Sequence, residues 1–280
     1  MNYRYDVSLR EKGMKLLPFL KSKFPDGPSV KAIKRAIDGK GCRVNGKVET
    51  FSTHPLRAGD KVEVTFAVAT ATLPILTLYE DDSLKVCNKP AGVVSENKAL
   101  GGLLVHRLDK DTSGVIVLAK TKAMQEKMKD LFFKREVEKV YLAIVDDIFR
   151  KMEGTVDNFL TKKHSYEGQS VWGSYAKGLS AITQWKCLQN SKEAALVECR
   201  PQTGRTHQIR VHMSEMGHPI LGDHQYGKTF RCAYPAKRHM LHAYSVSFVH
   251  PISNKKVTVK ASLPQDFQDA LKTLRMEFVP

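Results

Sequence analysis

No run of about eighteen consecutive apolar residues occurs in the chain, the length a membrane-spanning helix requires. The opening residues MNYRYDVSLREKGMKLL carry charges throughout, so neither a membrane span nor a secretory leader is legible, and the expected location is the cytoplasm. Paired cysteines are missing as well. Cys42, Cys87, Cys187, Cys199 and Cys232 are odd in number and far apart, with no CxxC pair and no Cys/His grouping at zinc spacing, which argues against a disulfide framework or a structural metal. Internal repeats and low-complexity tracts are also absent. The most informative shortage is of acid: 29 Asp and Glu face 45 Lys and Arg, a net charge of +16 over 280 residues. Part of the surface must therefore be strongly positive, and polyanions are its natural partners. The 42% apolar content allows a folded core, in one large domain or in a medium domain plus a small one.

Residues 1–66 hold fourteen Lys/Arg against seven Asp/Glu. Within them, MKLLPFLKSKF and SVKAIKRAIDGKG read as two short helices, the second with an apolar stripe at Val30, Ile33 and Ile37 and with Lys31, Lys34 and Arg35 off that stripe. In CRVNGKVE, Asn45-Gly46 between β-formers is a hairpin signal, and LRAGDKVEV closes the module with a turn and an alternating strand. Cations on one helix face can neutralise successive phosphates, with little sequence preference.

Residues 67–74, AVATATLP, read as a linker, and a larger domain over 75–280 follows. ILTLYEDDSLKVCNKPAGVV supplies two strands, VIVLAK a buried one, and TKAMQEKMKDLFFKRE a helix with Met124, Met128, Leu131 and Phe132 on its core face. EKVYLAIV, AITQWKCL, EAALVECR and MLHAYSVSFVHP read as strands, THQIRVHMSEMG and PQDFQDALKTLR as helices. From Asp146 to about Ser180 the pattern is irregular and basic, fitting either irregular core or a nucleic-acid-contacting loop. Strands in succession with helices at irregular intervals predict an α+β domain with a mixed, largely antiparallel sheet.

Three places could carry chemistry. In VHRLDKDTSGVIVLAK, Asp109 precedes a small-residue turn into a buried strand; it either caps that turn or is a carboxylate held rigidly for reaction, with His106 and Arg107 supplying positive charge for an anionic substrate. In RPQTGRTHQIRVHMSEMG, Thr206 can cap a helix, and Arg205 or Arg210 suits a phosphate or a bidentate pair with a carboxylate such as Asp109. The i, i+5 spacing of His207 and His212 misses the single-face geometry of a zinc pair. Tyr141 alternates onto one face with Lys139 and Ala143, either as a core tyrosine or as an aromatic that stacks on a base.

HRLDKDTSG resembles the catalytic signature of the RluA-type pseudouridine synthases, and NKPAGVV, KVYLAIV, TGRTHQIRVHM with GHPILGDHQYG, and RHMLHA follow that family's motif order over roughly residues 78–264. Residues 8–66 resemble the S4 RNA-binding domain in the VNGK hairpin and the GDxVxV strand. The resemblance implies a catalytic domain of the pseudouridine synthase type behind a small S4-like α/β module. It also implies isomerisation of uridine to pseudouridine in structured RNA, with no cofactor, no metal and no obligatory protein partner, by a monomer. Ribosomal RNA is the expected substrate and tRNA the alternative. By the family motif Asp109 is the nucleophile, at C1′ or through a route beginning with 2′-deprotonation. Tyr141 would stack on the base and help remove the C5 proton, and Arg210 would position Asp109, with Arg205 as second choice. His106 and Arg107 would hold the flipped nucleotide, and Lys34, Arg35 and Arg43 would contact RNA from the N-terminal module. A glycoside hydrolase using Asp111 as its second acid, and a non-catalytic RNA-binding protein, are the rival readings.

Overall fold

The computed structural model describes residues 2–25, 27–39, 41–66, 74–166 and 169–279, and the chain divides into two compact units, Met1–Thr72 and Leu73–Pro280. Apart from Pro74, the expected linker lies outside the described residues.

The first unit contains β1 (Asn2–Asp6), α1 (Leu16–Lys23), α2 (Val30–Asp38), β2 (Cys42–Val44), β3 (Lys47–Val48) and β4 (Lys61–Thr65). Its antiparallel sheet runs β1-β4-β2-β3. Val62 and Val64 alternate inward from β4 and meet Ile33 and Ile37 of α2, all fully buried. Ser29 caps α2 by accepting from the Ala32 amide. The stripe is one residue shorter than expected, since Val30 in the first turn of α2 is 49% exposed. Between β2 and β3, Asn45 (φ 52°) and Gly46 (φ 78°) take the two left-handed positions of a type I′ turn, and the Asn45 side chain ties the turn to Asp60 and Lys61. Strand β1, unforeseen in the sequence, completes the sheet edge.

The second unit continues with β5 (Leu76–Glu80), β6 (Leu84–Lys89), α3 (Asn97–Leu100), β7 (Leu103–Leu104), β8 (Ser113–Ala119), α4 (Lys122–Phe133) and β9 (Glu138–Asp146). It ends with β10 (Glu153–Tyr166), β11 (Gln169–Ser174), β12 (Leu179–Asn190), β13 (Ala194–Pro201), α5 (Gln208–Glu215), β14 (Leu241–Val249), β15 (Lys256–Lys260) and α6 (Gln265–Thr273). One sheet runs β11-β10-β12-β13-β9-β14-β8-β6-β5, with β15 on β14 and β7 on β8. Among the described strands every pairing is antiparallel except β14 with β8. The fold is α+β, as the succession of strands predicts.

Strand β8 is buried along its whole length because both faces are covered. Val115 and Val117 pack with Met124 and Met128 of α4, while Ile116 and Leu118 pack with Leu100 and Leu108. At its start Gly114 has φ 113°, and a Cβ there would lie 2.1 Å from the Ala243 carbonyl oxygen, so the parallel approach of β14 requires glycine.

Within residues 146–180, expected to be irregular, Glu153–Tyr166 and Gln169–Ser174 instead pair as the two strands of a long hairpin, β10 with β11. The alternation is present but chemically muted. Gly154, Val156, Asn158 and Leu160 face inward while Glu153, Thr155, Asp157 and Phe159 are exposed, so neither face reads as consistently apolar.

Candidate active site

The turn before β8 closes by a backbone bond from the Thr112 amide to the Asp109 carbonyl, 3.1 Å, which leaves the Asp109 carboxylate free of the capping role. Neighbouring segments pin this loop from several sides. The buried Lys89 ammonium donates to the carbonyls of Pro90, Val93 and Lys110 at 2.9–3.0 Å, so NKPAGVV supplies a staple under the loop. Ser95 Oγ donates to the Leu108 carbonyl and accepts the Leu108 amide. Thr112 and Ser113 bond His239 and His242, and Arg238 donates to the Asp111 carbonyl. A carboxylate on a loop held this way has little freedom to lose on meeting a substrate.

Arg210 of α5 reaches that carboxylate. Its Nη1 donates to Asp109 Oδ2 at 3.1 Å, while Nε and Nη2 form a fork on Asp223 at 2.6 and 2.9 Å, and Nη2 also donates to Gln225 Oε1 at 2.9 Å. Exposure is graded outward along this chain of charges: Asp223 is 1%, Arg210 7% and Asp109 25% exposed. Asp223 anchors the guanidinium and Asp109 presents the open end. The Tyr226 ring lies 5.0 Å from the guanidinium carbon. Its hydroxyl accepts the Trp172 amide and meets His207 Nδ1 at 2.7 Å. The tautomer that satisfies both contacts directs His207 Nε2 at Asp109 Oδ1, 3.8 Å away. Burial, the largest influence, holds the His207 pKa below its ordinary value despite Asp109. The ring occupies the N-cap of α5 in a left-handed conformation, φ 58°, so Thr206 does not cap this helix; the Gln208 side chain accepts the Arg205 amide instead.

Asp109, Tyr141 and Arg210 line one cavity of about 550 Å³, with His106, Arg107, Lys139 and Arg205 also on its wall. A larger groove of about 850 Å³ beside residues 275–279 contains none of these residues. Burial first, and the Asp109 charge second, push the Tyr141 pKa well above the ordinary phenol range, so the side chain stays a neutral phenol. Burial holds Lys139 down to about 8.

Two candidates, His106 and Arg205, depart from expectation. His106 supplies no charge: its Nε2 accepts the Val117 amide at 2.9 Å, its ring stacks on Phe132 at 4.7 Å, and burial with help from Lys139 pushes its pKa down to about 3. Arg205 donates to the Ser180 carbonyl at 2.9 Å, and Arg210 is the partner of Asp109. Tyr141 is a wall of the cavity, as an aromatic that stacks on a base would be. Arg107 sits exposed on the cavity wall. Lys34, Arg35 and Arg43 lie exposed on the first unit, where Arg43 donates to the Gly46 carbonyl. Asp223 went unrecognised in the sequence although GHPILGD was read as a motif, because an acid after glycine in a turn-rich segment looks like a turn residue.

Among the described residues no group of His, Cys, Asp and Glu has the arrangement of a metal site, and all five cysteines are free and buried. No described helix is long and apolar enough to cross a membrane.

Comparison with known proteins places this geometry. The sequence pattern described as RNA pseudouridylate synthase matches residues 83–215, which include Asp109, Tyr141 and Arg210. The chain is 36% identical over 233 residues to a ribosomal large subunit pseudouridine synthase D of Zymomonas mobilis, covering 72% of this chain and 73% of that protein. It is 33% identical over 308 residues to a ribosomal large subunit pseudouridine synthase C of Vibrio cholerae, covering 96% of each. The solved structure of human RNA pseudouridylate synthase domain containing 4 aligns with TM-score 0.61 at 28% identity, over 72% of this chain and 94% of that one.

Proposed function

The chain belongs to the RNA pseudouridylate synthase family, and on that premise we propose that it isomerises one or more uridines of large-subunit ribosomal RNA, with Asp109 as the nucleophile. The observation that carries the reading is the graded chain Asp223–Arg210–Asp109, whose outermost carboxylate faces a cavity walled by a neutral tyrosine. The relatives of 36 and 33% identity, named for the ribosomal large subunit, favour rRNA over tRNA.

A uridine flipped into the cavity stacks its base on Tyr141 and places C1′ at Asp109. Attack by the carboxylate forms an ester at C1′ as the N1–C1′ electron pair leaves with the uracil. The uracil turns, C5 attacks C1′ as the ester bond to the carboxylate breaks, and the C5 proton departs while N1 gains one, so that no proton is lost or gained overall. A route through 2′-deprotonation uses the same residues. A neutral phenol is a weak base, so Tyr141 relays that proton: its oxygen receives it as the hydroxyl proton passes on to water or to the freed carboxylate. Arg210 fixes the direction of the carboxylate, and Arg107 on the wall holds the flipped nucleotide. The first unit acts as an S4-like RNA-binding module through Lys34, Arg35 and Arg43, with the exposed cations of α2 and the hairpin opposite its packed face. The enzyme works as a monomer in the cytoplasm, without cofactor.

The test is a map of pseudouridines in rRNA and tRNA from cells with and without the gene, together with purified wild type and Asp109→Ala. At least one rRNA pseudouridine should vanish without the gene and be restored in vitro by wild type alone. An unchanged map in expressing cells, or full activity of Asp109→Ala, would sink the reading.

A further inference from the structure

Two lysines lie beside the site, Lys89 fully buried and Lys139 half-buried, and they differ in how their protons are used. Lys89 spends all three on carbonyl oxygens. Lys139 makes one bond among the described residues, a long one of 3.3 Å to the Thr203 carbonyl, and otherwise faces the cavity. An ammonium half withdrawn from water, with two protons that no protein group accepts, is better satisfied when an acceptor arrives in the cavity. Lys139 lies two residues before Tyr141 on the same face of β9, about 7 Å along the strand. A base stacked on the tyrosine would lie within reach of the ammonium, with its glycosidic nitrogen toward Asp109, its C2 carbonyl flanking that nitrogen and its C4 carbonyl directed away.

We propose that the Lys139 ammonium stabilises the uracil anion released when the glycosidic bond breaks, by donating to a carbonyl oxygen of the base. This rests on the isomerase reading above. When the N1–C1′ electron pair leaves with uracil, the negative charge spreads from N1 onto the two carbonyl oxygens. A cation in a walled cavity is worth more to that anion than to the neutral base, so it favours the transition state over the ground state. The groups that share the cavity are His106, Arg107, Asp109 and Lys110 from the segment before β8, Tyr141 from the same strand, and Arg205, His207 and Arg210 from around α5. His106 and Tyr141 are held neutral, Asp109 is paired with Arg210, Arg205 is bonded to Ser180, and Arg107 and Lys110 are exposed to water, which leaves Lys139 as the half-buried cation on the strand that carries the stacking face. Its lowered pKa arises from burial, without a contribution from any carboxylate. The charge is therefore present below about 8 and lost as pH rises through that value.

Single-turnover rates on rRNA from cells lacking the gene, measured from pH 6 to 10 for full-length wild type, Lys139→Met and Lys139→Arg, test the proposal. Wild type should slow above about pH 8. Lys139→Met should lose about a hundredfold in rate at pH 7 with RNA affinity unchanged within about threefold. Lys139→Arg should retain activity and move the alkaline limb upward, leaving only the fall due to ionisation of uracil itself. Circular dichroism melts establish that each variant is folded, and the wild-type and Arg profiles decide the matter even if the Met variant is not. A Met variant as fast as wild type, or one that loses RNA affinity while keeping its rate, overturns the proposal; the second result would mark Lys139 as a phosphate contact. Absence of pseudouridine with wild type would overturn the isomerase reading itself, whereas active wild type with inactive Asp109→Ala and an unaffected Lys139→Met overturns only this inference.

Discussion

Replacing Asp223 by Asn tests whether the buried ion pair holds the site. Asparagine keeps the shape and one acceptor oxygen but removes the charge that offsets the guanidinium. Breaking a buried pair from one side costs about 3–5 kcal/mol, because the remaining charge is left uncompensated. Arg210 retains Asp109 at 3.1 Å and Gln225 at 2.9 Å, so the lower end applies, about 3 kcal/mol. In a unit of this size that lowers the melting temperature by about 6–12 °C. Activity falls for a separate reason. A guanidinium released from Asp223 should turn its whole fork onto Asp109 and cover the carboxylate proposed as nucleophile, so kcat should drop while RNA affinity holds. Calorimetry separates this pair from an ordinary surface contact through the double variant Arg210→Met/Asp223→Asn. With both charges gone its melting temperature recovers at least half of the loss, yet isomerisation stays absent. A single variant melting within about 2 °C of wild type, or a double variant less stable than the single, would refute the reasoning.

Two further outcomes follow from packing and burial. Gly114→Ala places a Cβ 2.1 Å from the Ala243 carbonyl oxygen at φ 113°, and should cost at least about 3 kcal/mol; an unchanged urea midpoint would contradict the packing of β8 on β14. His212, His239 and His242 are buried, and burial holds each near about 4 against an ordinary 6.5. The unfolded chain therefore takes these protons first: stability is complete above about pH 6.5 and falls toward pH 4, with a combined slope of up to about 4 kcal/mol per pH unit. Thermal melts at constant ionic strength read this directly, and a flat curve between pH 6.5 and 4.5 would count against it.

The elements legible in the sequence are those where one physical signal dominates. Asn45-Gly46 admits few backbones other than a tight hairpin, and the apolar run of β8 has few homes other than a sheet covered on both faces. The long hairpin was missed because its inward face includes Gly154 and Asn158, and β1 because NYRYD is half polar and is stabilised by β4, some sixty residues away. The site shows the same division. Asp109 in HRLDKDTSG was equally compatible with capping a turn, and no local feature decides it, because what frees its carboxylate is distant in sequence: Lys89 beneath the loop, Arg238 and His239 beside it, Arg210 and Asp223 across from it. The basic residue adjacent in the motif, His106, proved to be a neutral post beneath the strand, while Lys139, a cation on the cavity wall, sat in a different motif. Charge type is written residue by residue, but whether a charge survives burial depends on partners that only the fold assembles. Arg210 survives because Asp223 accepts its fork, His106 loses its charge because burial, with Lys139 beside it, disfavours the imidazolium, and Lys139, with a single long bond to a carbonyl, is left facing the cavity.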